Sequence, residues 1–115
     1  MAPDGSEVRL LAACGRGSMA HFRLAPGAVS RAVRHARVEE LWYFVAGRGR
    51  FWRKDETGES VLDVHPGMSL DIPVGTSFQF RADGDAPLEA VGVTMPPWPG
   101  PHEAIFVDGA WPATA

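Results

Sequence analysis

His35 and Glu40 bring an imidazole and a carboxylate within four intervening residues of each other. If both are buried side by side, they suit general acid–base chemistry near neutral pH. Desolvation in an apolar cavity disfavours an ionised carboxylate, and a neighbouring cation favours it again. A bland reading explains the same pair as two polar groups that satisfy each other inside a core. Both readings stay open on the sequence. Of the other histidines, His65 precedes the turn Pro66-Gly67 and His102 lies in a Pro/Gly-rich tail, so both are expected to face water. His21 falls in a strand-like run, and its side is not fixed by the sequence. Glu39 alternates to the face opposite Glu40. Cys14 is the single cysteine, which excludes an internal disulfide and a cysteine-based zinc cluster. It sits in the small apolar run Leu10 to Cys14, where a buried structural thiol is expected. Ser, His and Asp occur without a nucleophile elbow. Gly47-Arg48-Gly49 reads as a hairpin turn rather than a phosphate loop, because no helix follows it. Arg48, Arg50 and Arg53 are explained by a solvated face.

The elements that must position these groups are short. The 115 residues make one domain, and 45% hydrophobic content is enough to fill its core. With 11 basic against 14 acidic residues the formal charge is −3, which argues against a nucleic-acid partner. The longest apolar run, Leu41 to Ala46, is too short to span a bilayer. Met1 to Val8 is polar and acidic and has no leader-like apolar stretch, so a cytoplasmic location is expected. Residues 1–6 read as a loose tail, and residues 96–115 as a C-terminal arm packing Trp98 and Trp111 on the outside of the domain or on a partner. Thirteen glycines and ten prolines punctuate the whole chain. Between them lie strand-like runs at Glu7 to Ala13, Met19 to Ala25, Ala28 to His35, Glu40 to Val45, Arg50 to Lys54, Ser60 to Val64, Met68 to Ile72, Ser77 to Arg81 and Leu88 to Met95. That pattern predicts an all-β sandwich or barrel. Periodicity alone leaves Ala28 to Ala46 open between strand and helix, since it has no glycine or proline and shows helix-spaced apolar residues.

The stretch from Pro26-Gly27 through His35 and Glu40 to Gly47 resembles the first motif of the cupin superfamily. Glu40 and Gly47 have the motif's six residues between them. Gly67 followed by Pro73-Val74-Gly75 resembles the second motif, with Phe78 standing where its histidine belongs and Arg81 where its asparagine belongs. The resemblance implies a double-stranded β-helix (jelly-roll) cupin barrel and resolves the open stretch in favour of strands. In metal-binding cupins two histidines and a glutamate of the first motif converge with the histidine of the second on one divalent ion. Here those positions are Val33, His35, Glu40 and Phe78. The resemblance therefore implies a degenerate site, at which His35 and Glu40 alone would hold a metal weakly, and no cofactor is expected beyond such an ion.

Strand alternation puts Trp42 and Phe44 on the face of Glu40, and Arg31 and Val33 on the face of His35. With Phe78 and Phe80 these residues would line an aromatic pocket for a small organic ligand, in which Arg31 could meet an anionic or carbonyl group. Leu41, Tyr43 and Val45, on the other side of the same run, are apolar too, so a second subunit is expected to cover them. The family resemblance also suggests a homodimer. Two functions follow. One is a small-molecule-binding barrel. The alternative is an isomerase, epimerase or cyclase in which His35 and Glu40 transfer protons.

Overall fold

The computed structural model describes residues 2–114. Within them the chain forms strands β1 (Glu7–Cys14), β2 (Gly17–Leu24), β3 (Val33–His35), β4 (Glu39–Ala46), β5 (Arg48–Asp55), β6 (Gly58–Val64), β7 (Ser69–Ile72), β8 (Ser77–Asp83), β9 (Leu88–Met95) and β10 (Ala104–Phe106), with a 3-10 turn at Pro101–Glu103. They build two five-stranded sheets, ordered β1-β2-β9-β4-β7 and β10-β3-β8-β5-β6. The chain changes sheet repeatedly, which is the jelly-roll path, and the two inner faces enclose the core.

Alternation decides what the barrel encloses. In β4, Glu40, Trp42 and Phe44 are buried while Glu39, Leu41, Tyr43 and Val45 are exposed. Phe51, Phe78 and Phe80 meet them from the opposite sheet. The ring of Phe51 stacks on those of Phe78 and Phe80, and Trp42 sets its edge against all three. Gly92, opposite Trp42 in the register, is needed because a Cβ there would lie 2.9 Å from both the Trp42 and Phe22 rings. Its absence lets those rings stack with centroids 4.8 Å apart.

The structure corrects several expectations. The run from Ala28 is a strand only at Val33–His35; before it, a single bridge joins Val29 to Arg81. Regular alternation fails there, so Ala32 and Val33 are both buried and Arg31 points outward. Residues 2–6 are not a loose tail. Asp4 and Ser6 are buried, and the Asp4 carbonyl accepts the Arg31 N–H at 2.8 Å. Met1, and Ala115 of the expected arm, lie outside the described residues. Cys14, expected buried, is exposed at the end of β1, because β1 is an edge strand that shows most of its length to solvent. In β8 both faces are buried. The arm covers the outer one, where the Gln79 amide donates to the carbonyls of Ser30 and Trp111 and accepts the Trp111 N–H.

Candidate functional site

One end of the barrel holds a cavity of about 150 Å³. Its walls come from β1, β2, β3, β4, β8, β9 and β10, with the N-terminal segment, Trp98 and Pro101 of the 3-10 turn completing the lining. Most of the lining is apolar: Val8, Leu10, Ala20, Phe22, Val33, Trp42, Phe78 and Trp98 all contribute. His35, Glu40 and Asp4 are its ionisable groups among the described residues, and no arginine or lysine reaches it.

β3 and β4 point His35 and Glu40 into this space from opposite sheets. His35 Nδ1 lies 3.0 Å from Glu40 Oε2, with the two side chains 7% and 2% exposed. The distance is that of an ion pair, yet the angles are not those of a hydrogen bond, and both atoms lack a hydrogen-bond partner. The other Glu40 oxygen accepts a long bond of 3.4 Å from the Trp42 indole. The imidazole is gripped edge-on between Phe78 and Trp98, at centroid distances of 5.3 and 5.1 Å.

The turn joining the pair is held by a residue that the sequence reading missed. Glu103 is buried, and its Oε2 accepts the backbone N–H groups of Arg37 and, at 2.7 Å, of Val38. Burial alone would raise the Glu103 carboxyl, but these two donors and the Arg37 and His35 charges outweigh it and hold the group below its ordinary value. The Glu103 carbonyl also accepts the Ala36 N–H, and the His35 carbonyl accepts that of Gly75. Asp4 departs in the other direction. Burial raises its carboxyl above the ordinary value, Ser6 opposes this through two hydrogen bonds, and Glu40 adds to the rise.

Of the ligand-lining residues expected from sequence, Val33, Trp42 and Phe78 reach the cavity with His35 and Glu40. Phe44 and Phe80 do not line it; they lie deeper, as core. Arg31 is also absent from the lining. It stands on the surface with its guanidinium 5.3 Å over the Phe106 ring. Trp98 was expected on the outside and instead forms a wall, its backbone N–H bonded to Ser18 Oγ. Trp111 takes the Arg81 guanidinium over its ring at 4.7 Å.

These residues do not fit a metal centre of the ordinary composition. Val33 and Phe78 are cross-strand partners, so an apolar pair replaces half of the expected ligand set at one place. His21 cannot restore it, because its Nε2 is engaged with Glu89 3.1 Å away and it does not line the cavity. Among the described residues no three His, Cys, Asp or Glu side chains are grouped to hold an ion.

A jelly-roll barrel with a cavity at one end, lined by inward-facing residues of both sheets, defines the class of small double-stranded β-helix proteins. The chain is a member of the cupin family, since the model described as "Cupin domain" matches residues 20–94. A search of curated proteins gave no match. Among solved structures, an uncharacterised conserved protein with a double-stranded β-helix domain from Klebsiella pneumoniae superimposes with a TM-score of 0.75 at 13% identity, over 90% of this chain and 85% of that one. KdgF from a Halomonas species gives 0.63 at 21% identity, over 80% and 81%. A variant of Bacillus subtilis oxalate decarboxylase gives 0.75 at 19% identity, over 93% of this chain and 32% of that longer one. At such identities the likeness is one of fold. No helix among the described residues is long and apolar enough to cross a membrane.

Proposed function

We propose that this cupin binds a small organic molecule inside its barrel, at a degenerate metal site where the pair His35 and Glu40 orients the ligand. One observation carries the reading. Two polar atoms, His35 Nδ1 and Glu40 Oε2, are buried without hydrogen-bond partners on the wall of a largely apolar cavity. Buried polar groups left in that state are costly, and a ligand with a polar edge relieves the cost. The volume, about 150 Å³, is of the order that holds a single six-membered ring. A second reading, proton transfer by an isomerase, epimerase or cyclase, draws on the 3.0 Å separation of the two groups.

Cyclohexanone supplies both a ring and a carbonyl, and it tests both readings in one titration. The indole N–H signals of Trp42 and Trp98 should shift on its addition, and Ala20→Leu, which fills the cavity, should abolish the shifts. Unmoved indole signals, or unchanged binding to Ala20→Leu, would refute the cavity reading. In deuterated buffer, exchange at the carbons next to the carbonyl that disappears in His35→Gln would favour the enzyme. Binding without such exchange favours the binding module.

The partner proposed for the outer face of the first sheet is a second copy of this chain. Leu41, Tyr43 and Val45 are exposed there in one row, and burying such a row contributes roughly 25 cal/mol per Å² of apolar surface. The protein should sediment as a dimer, and after incubation with zinc, iron, nickel or manganese it should release no stoichiometric metal on elemental analysis. A monomer would remove the partner, and one ion per chain would remove the degenerate site.

A further inference from the structure

The N-terminal segment does more than close the barrel. Its Asp4 lines the cavity and is 5% exposed, while its hydrogen-bond partner Ser6 is 1% exposed. The carboxyl is held in place. Asp4 Oδ1 accepts the Ser6 backbone N–H at 2.9 Å and the Ser6 hydroxyl at 2.6 Å. The segment itself is tied by the bond from Arg31 N–H to the Asp4 carbonyl, and by a turn in which the Ala2 N–H donates to the Ser6 carbonyl at 2.8 Å. Both Ser6 donors converge on Oδ1, which leaves Oδ2 as the atom to carry a proton.

We propose that Asp4 is a ligand-binding acid of this cavity, donating a hydrogen bond from its protonated carboxyl to the carbonyl oxygen of an uncharged ligand. The inference rests on the cavity reading above. The ligand class follows from the charges present. No arginine or lysine lines the space, so a carboxylate or phosphate would enter against Glu40 with only His35 to offset it. An uncharged molecule meets no such penalty, and an oxygen acceptor finds a donor in Asp4. Burial and the nearby Glu40 both favour the protonated form that the role requires.

The charged and titratable groups facing Asp4 are Glu40 from β4 and His35 from β3; Glu103, at the end of the 3-10 turn, acts on His35 in turn. A bare pH profile would mix these groups, so the test compares two proteins. Asp4→Asn keeps an oxygen for Ser6 and keeps a donor, but it cannot ionise. Cyclohexanone affinity, read from the Trp98 indole signal between pH 4 and pH 9, should fall three- to tenfold in the unmodified protein as the Asp4 carboxyl ionises. That range is about what one hydrogen bond contributes. A carbon-13 titration of that carboxyl should track the same transition. Asp4→Asn should lose this step, and Asp4→Leu should bind weakly at every pH. Identical pH profiles for the unmodified protein and Asp4→Asn would overturn the role of Asp4 while leaving the cavity reading in place. No binding to any of the three proteins would overturn both.

Discussion

Glu40→Leu should lower the unfolding free energy by about 3–5 kcal/mol, the usual cost of removing one partner from a buried ion pair. The reason lies on the His35 side. Its ring is packed between Phe78 and Trp98, so it cannot turn to water when Glu40 is gone. His35 Nδ1 has no hydrogen bond to fall back on. The double variant His35→Leu/Glu40→Leu should recover most of the loss, because apolar side chains then meet apolar walls. Urea unfolding of the two single variants and the double one closes the cycle, and a coupling energy above about 1 kcal/mol is expected. Additive effects would mean that the two groups sit side by side without interacting.

Glu103→Gln should cost roughly 2 kcal/mol at pH 7, since it replaces two charge-assisted backbone hydrogen bonds by neutral ones. The variant also carries a sign. Glu103 titrates below its ordinary value of 4.5 in the folded chain. Its stabilisation is therefore complete above the unfolded value and is lost as the pH falls through the folded one. Asp4 runs the other way: its carboxyl is raised above 3.8, so stability is lost as the pH rises from that value through the folded one. The difference between native Glu103 and the glutamine variant should thus shrink from pH 7 towards pH 3 in urea unfolding experiments. A constant difference would show that the clamp acts through shape alone. Because the clamped turn joins His35 to Glu40, the variant should also broaden the His35 ring signals in NMR spectra.

The strands and the His35–Glu40 pair were legible because they follow local rules. β4 alternates from Glu39 to Val45, and the motif spacing placed His35 and Glu40 together. What was hidden depends on contacts distant in sequence. Asp4 lies in a polar stretch with no periodicity, and it is tied to the barrel by a bond to Arg31, far along the chain. β10 is three residues long and follows a proline-rich run, so it carries no strand pattern of its own; it exists because β3 offers an edge. Arg31 was misplaced by extending β3 backwards through a segment held by one bridge. Trp98 reads as tail until Ser18 is known to fix its backbone. Phe51, at the centre of the ring cluster, was not singled out because its strand is mostly charged.

Gly92 makes one wall of the cavity depend on the main chain behind it. Phe22 and Trp42, which both line it, lie flat against each other beside a position that has no side chain. Any larger residue there would press on both the indole of Trp42 and the ring of Phe22. A side chain at this position would have to displace one of the two rings, so the shape of that wall depends on one missing methyl group.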